Sequence, residues 1–406
     1  MIKNKLTVAV AVALLAMGTS VLAQTGPVRP QYQFPSAQKE GPGAVQMGDS
    51  PLYMAPFFNF SAGQDDNVTL SPSNEQSSPV YIFNPGVTFD ARDPNKVFVV
   101  GYQAKIGRYT DSEADNYVDH TTRSSFDMAF SPRSAMRLGY DYLIGHDGRG
   151  ATDRGLSAVP DKYTLKTPSV MYAVGGQGAQ GNVELFYSDA IKRYTNNRGT
   201  TFASDRDTQD FGGAFYWRVM PKTKVLVEAR DTHLSYLQTN SPFSGDETRY
   251  YGGVTWEATA ATSGTVKVGY LKKRFDGDSP TYSGSSWEAQ VSWLPRTYSK
   301  FDFYTSRQPT ESTGLGSFIL SDAAGAVWTH SWTSAITTEA NFRYQKDDYQ
   351  DFDRNDDITT VGLKVGYAWR RWLKFGVEYN YTKRDSNLQE NDYKRNIFLF
   401  TASATM

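Results

Sequence analysis

From Leu52 to the end of the chain, apolar and polar residues alternate singly, in runs of about 9 to 13 residues. Val97 to Tyr109 sets Phe98, Val100, Tyr102, Ala104 and Ile106 on one face, with Gln103 and Lys105 on the other. Thr359 to Trp369 opposes Val361, Leu363, Val365 and Tyr367 to Thr360, Gly362, Lys364 and Gly366. Leu373 to Tyr381 opposes Phe375, Val377 and Tyr379 to Lys374, Gly376, Glu378 and Asn380. A period of two is that of a strand, and about ten residues is what a tilted strand needs to cross a membrane. A dozen such runs in series predict an all-β fold: a transmembrane antiparallel up-and-down barrel of the outer membrane.

The connections alternate in kind. Tight turns are expected at 92–95, 131–134, 175–181, 220–223, 261–264, 295–299, 333–335 and 370–371, where Pro and Gly fit turn dihedrals. Between them lie polar loops near 63–79, 109–119, 145–162, 195–210, 238–247, 275–283, 308–317, 346–357 and 383–392. Eight turns and nine loops give about 18 strands with both termini in the periplasm; sixteen stays the alternative, because boundaries read this way shift by about 2 to 4 residues.

The N-terminus reads as a signal peptide over residues 1–23: Lys3 and Lys5, an apolar stretch from Val8 to Met17, then Val21-Leu22-Ala23 before Gln24. That places the protein in the bacterial outer membrane after export through the inner one. Residues 24–51 hold Pro27, Pro30, Pro35, Pro42 and Pro51 without a period and are expected to be a flexible periplasmic lead-in, followed by the barrel over 52–406. The last strand presents Phe398, Phe400, Ala402, Ala404 and Met406 on one face, the form that barrel-assembly machinery engages, with Met in place of the usual terminal aromatic. The chain has no cysteine, which excludes a lipid-modified N-terminus, disulfides and thiolate metal sites.

Charge adds a second pattern. The nine expected loops carry 27 acidic and 9 basic residues, whereas the chain without Lys3 and Lys5 is only -3, so strands, turns and lead-in are basic. The acidic stretch Asp347, Asp348, Asp351, Asp353, Asp356 and Asp357 lacks compact ligand spacing and reads as a solvated loop; no metal site and no cofactor are expected. Charges are costly on a lipid face, so alternation assigns Lys105, Arg123, Asp127, Arg137, Asp141, Glu184, Glu228, Arg230, Lys267, Glu288, Glu339, Arg343, Lys364, Lys374 and Glu378 to the lumen. Two readings stand side by side there: cross-strand ion pairs that stiffen the wall, or a slight basic excess that favours anionic solutes. Arg108, Arg193 and Lys272-Lys273-Arg274, near outer strand ends, suit lipopolysaccharide phosphates instead.

Catalysis finds little support. The histidines are His120, His146, His233 and His330, and no nucleophile elbow accompanies them. Gly175-Gly176-Gln177-Gly178 lacks the strand-to-helix setting of a phosphate loop and reads as a turn. Nothing points to nucleic acid.

Two segments resemble the putative β-barrel porin 2 family. Ala62 to Val68, with Asp65, Asp66 and Asn67, resembles the family's Asp-Asn-Val opening at the end of the first strand. Gly107-Arg108-Tyr109, Asp115 to His120, Ser131-Pro132-Arg133 and Gly145 to Gly150 resemble its run through strands three to five, including Arg149-Gly150. The resemblance implies an outer-membrane barrel tied to capsule or exopolysaccharide export, with polysaccharide and periplasmic export components as partners, and it carries no catalytic residues over. A general diffusion porin, with the loop near 145–162 folded inward as a constriction, is the main competing expectation. A closed barrel that binds a surface partner and a lipid-modifying enzyme complete the set.

Overall fold

The computed structural model describes residues 28–29, 31–32, 44–176, 178–257 and 261–405; the expected signal peptide lies outside them. Eighteen long strands run in sequence order: β1 (Leu52–Asp65), β2 (Ser78–Asp93), β3 (Lys96–Tyr109), β4 (Tyr117–Ser131), β5 (Ser134–Asp147), β6 (Asp161–Val174), β7 (Gly181–Tyr194), β8 (Arg206–Met220), β9 (Thr223–Tyr236), β10 (Gly245–Trp256), β11 (Thr262–Phe275), β12 (Tyr282–Arg296), β13 (Ser299–Thr310), β14 (Phe318–Ser331), β15 (Ile336–Gln350), β16 (Asn355–Arg370), β17 (Leu373–Ser386) and β18 (Tyr393–Thr405). Each pairs antiparallel with the next, and β18 pairs with β1 from Ile397↔Asp65 to Thr405↔Phe57, which closes the sheet. Closure satisfies every ladder and leaves no edge, the condition for strands in hydrocarbon. Past that register β1 is flanked by Val45–Gln46, a two-residue strand opposite Tyr53 and Met54.

Seven of the eight expected turns fall where the sequence puts them. At the fifth, β11 already begins at Thr262, so the reversal follows Trp256 rather than lying at 261–264. The sixth, between Arg296 and Ser299, lies inside 295–299, with a register shift between Trp293 and Arg296 just before it. The loops are shorter than expected because strand pairing runs further into them: Asp347 and Asp348 pair with Asp356 and Asn355 in the β15–β16 hairpin rather than lying in a loop.

The two faces separate cleanly. Outward residues are apolar and open, such as Val227, Val268 and Leu363 at 58%, 62% and 47% exposure, as a lipid-facing surface requires. Trp293, Phe301, Trp328 and Trp332 cluster near the short-turn end, where aromatic side chains suit the membrane interface. The inner face is polar with apolar patches, for example Val80, Ile82 and Leu399 at the β1–β18 seam.

Candidate functional site: the lumen and its outer mouth

Strand registers carry one face continuously around the barrel, and all fifteen charged residues expected in the lumen lie on it. Their pairing differs by sector. On β9, β11 and β12, Arg230 meets Glu228 at 2.5 Å and Glu288 at 3.3 Å, while Lys267 meets the same carboxylates at 3.2 and 2.5 Å. These side chains are almost wholly buried, Lys267 to 1% and Glu288 to 0% exposure, so mutual pairing is what makes their burial tolerable. Arg137 meets Asp127 at 2.7 Å, Arg123 lies 4.0 Å from Asp141, and Lys364 is 3.7 Å from Glu378. Glu184 pairs with Arg29 of the lead-in at 3.4 Å. Lys105, Arg343, Lys374 and Glu339 have no opposite charge within 4 Å among the described residues. Paired charges thus fill the wall around β9, β11 and β12, while these four charges stand apart from ion pairs.

Sequence reasoning left out inner-face charges that the same alternation would have found. Lys273 meets Glu247 at 3.6 Å and Glu311 at 2.9 Å, facing inward; only its neighbours Lys272 and Arg274 face out with Arg108 and Arg193. Arg193 is already paired with Asp207 at 2.7 Å.

The loop over 148–160, between β5 and β6, folds across the mouth. Its base is fixed by Arg154, which donates to Asp161 at 2.8 Å, Asp147 at 3.2 Å and Ser204 at 3.1 Å. Its tip reaches the opposite wall: the Asp153 carboxylate accepts from Arg354 at 2.8 Å and from Tyr349 and Thr313 at 3.1 Å each, and the Asp153 amide donates to Thr313 at 3.0 Å. Arg354 is fully buried between Asp153 and Asp356, so the strap is anchored through a desolvated charge.

The family-like residues build this mouth. Arg149 donates to Asp115 at 2.8 Å, Ser112 at 3.0 Å and Gln76 at 3.4 Å, which joins three loops. Its hydrogen bond to Asp115 raises its pKa further, so it is a permanent cation. Gly150 has φ +74° and would place a Cβ 2.0 Å from the Thr69 carbonyl oxygen. Asp65 accepts from Arg395 at 2.9 Å and Asp66 from the Asn396 amide at 2.6 Å, both across the closing seam. Asn67 donates to the Ser71 and Lys394 carbonyls at 2.8 and 2.9 Å. Gly63 is needed there too, because a Cβ would lie 1.8 Å from the Phe398 carbonyl oxygen.

Below the strap lies a cavity of about 840 Å³ lined by β1–β5 and β13–β18. Its walls hold more carboxylates than cations, against the expected basic excess: Asp65, Asp115, Asp119, Asp153, Glu311, Asp347 and Asp356 face Lys105, Arg149, Arg343, Arg384 and Arg395. Most of the carboxylates are already held, by Arg395, Arg149, His146, Arg354 or Lys273, and Asp347 accepts from Gln345 at 2.8 Å. Lys105, Arg343 and Arg384 have no carboxylate within 4 Å among the described residues. They stand among Tyr109, Tyr117, Tyr304, Tyr349 and Tyr393, with Arg384 stacked 4.7 Å from the Tyr393 ring. His146 joins Asp119 at 2.8 Å and stacks on Tyr117, but no hydroxyl hydrogen-bonds its ring among the described residues. His120 faces outward and bonds the Tyr102 hydroxyl at 2.9 Å.

A family model described as putative beta-barrel porin 2 matches residues 52–405. Among solved structures, a BenF-like porin from Pseudomonas fluorescens Pf-5 is similar with TM-score 0.50 at 7% identity, over 89% of this chain and all of that one (100%). OccAB2 of Acinetobacter baumannii is similar with TM-score 0.49 at 12% identity, over 87% and 98% of the two chains. The FrpB iron transporter of Neisseria meningitidis gives TM-score 0.45 at 11% identity over 81% of this chain, which spans 62% of that one. No curated protein matches.

Proposed function

Because the chain belongs to the putative β-barrel porin 2 family, we propose that this outer-membrane porin-like barrel is a passive channel for export of an acidic extracellular or capsular polysaccharide. The observation that carries the reading is the cavity lining: Lys105, Arg343 and Arg384 stand free of carboxylates beside a set of tyrosines. Unpaired cations attract carboxylates, tyrosine hydroxyls and ring faces suit sugar hydroxyls and C–H faces, and many weak contacts let a polymer slide instead of lodging. Planar-bilayer conductance with a salt gradient tests this. Anion-selective current blocked by oligogalacturonate and untouched by neutral dextran oligomers is the expected result, and equal response to both overturns it.

A general diffusion porin is the second reading, favoured by the strap at 148–160, which narrows the mouth as a constriction loop does. On that reading neutral and acidic saccharides permeate according to size alone.

A further inference from the structure

Independently of the cargo, the lead-in makes a contact set that passage through the cavity does not use. Its described residues 28, 29, 31 and 32 sit inside the short-turn mouth, the periplasmic end of such barrels. The Tyr32 amide donates to Glu184 Oε1 and its hydroxyl to Asp127 Oδ1, both at 2.9 Å. Its ring packs on Ala135 and Ala173, which are 0% and 3% exposed. Lys224 donates to the Gln31 side chain at 2.9 Å. Arg29 approaches Glu184 at 3.4 Å and stacks on the Phe186 ring at 3.7 Å.

These partners come from β4, β5, β6, β7 and β9, so the segment bridges five strands. Lys224 follows the first residue of β9, while Phe186 lies five residues into β7. The segment therefore climbs from the rim at Gln31 to a deeper position at Arg29. The wall is complementary to it: Glu184 and Asp127 are 1% and 5% exposed, and buried carboxylates need such donors. The fit is also incomplete, because Arg29 Nε and Nη2 are buried without a hydrogen-bond partner among the described residues. An unmatched buried donor costs free energy, which keeps docking reversible.

We propose that the inner wall around Glu184 and Asp127 is a peptide-binding site whose resident ligand is the chain's own lead-in, through residues 28, 29, 31 and 32, and that its occupancy restricts the pore at the periplasmic mouth. The test uses the full chain in planar bilayers. R29A/Y32A channels are expected to conduct several-fold more than the native protein. A synthetic peptide of residues 24–36, added on the short-turn side, is expected to return them to the native level, while a scrambled peptide has no effect. Native-like conductance of the double variant with no response to the peptide overturns the proposal. If that variant does not fold, the cysteine-free chain permits a second measurement. Q31C/K224C joined by a bis-thiosulfonate cross-linker is expected to stay at the low level and to gain open events on reduction; identical traces before and after reduction overturn the proposal.

Discussion

A single guanidinium, that of Arg149, holds three outer loops together through Asp115, Ser112 and Gln76. Removing one partner of a largely buried pair typically costs about 3 to 5 kcal/mol, because the other charge is left unpaired. The loops can open without the barrel, so the loss belongs to the mouth. R149A is expected to make the segments 66–77 and 148–160 sensitive to protease while the barrel keeps its heat-modifiable migration on gels; R149K retains charge but not the two-pronged geometry and is expected to fall between. Gly150 gives a control that leaves every charge in place. G150A strains a left-handed residue by about 1 to 2 kcal/mol and drives a methyl into the Thr69 carbonyl, so the same protease sensitivity is expected. If G150A is as resistant as the native protein, the loops are not positioned by this close approach. Arg149-Gly150 and Asp65 to Asn67, singled out by resemblance, lie in the fold at the mouth and the closing seam, a placement that only the fold could reveal.

At the scale of the element, the strap at 148–160 is held at its far end by Asp153 alone among its charged residues, while Arg154 fixes its base. D153A is therefore expected to free the tip, raising single-channel conductance and admitting larger solutes in a liposome-swelling assay. R354A breaks the same contact and also strands Asp356, so it is expected to cost more stability than D153A with no further gain in conductance in the double variant. Additive gains in the double variant would mean that the two residues gate separately. The strand elements themselves were legible because a period of two, turn residues and loop lengths all agree, down to eighteen strands. Loop ends were not: Asp347, Asp348, Asp356 and Asp357 look like loop residues in isolation, yet backbone pairing carries the β15–β16 hairpin outward past them. The lead-in was equally opaque, since proline-rich sequence shows no period even where Arg29, Gln31 and Tyr32 find partners on five distant strands.

For the whole molecule, the sum of charges misleads, because pairing decides which of them a solute meets. Replacing Lys105, Arg343 and Arg384 with glutamine leaves the paired network of Glu228, Arg230, Lys267 and Glu288 intact. The triple variant is expected to lose anion preference, read as a shift of reversal potential towards the cation side in a salt gradient, with the largest effect at low ionic strength, where screening is weakest. An unchanged reversal potential would place the selecting charges elsewhere on the wall. The same separation of faces predicts how the barrel tolerates new charge. Leu363 sits near the middle of β16 on the lipid side at 47% exposure, and its neighbour Lys364 already carries a charge on the inner side. L363R is expected to destabilise the barrel by about 2 to 4 kcal/mol, the cost of a guanidinium at the bilayer midplane. T360R, one turn of the alternation away on the water-facing side, is expected to cost far less and to alter conductance instead. Urea unfolding in lipid vesicles distinguishes them: equal losses of stability for the two variants would mean that the face opposite Leu363 is as dry as the lipid, and that the lumen at this level is closed.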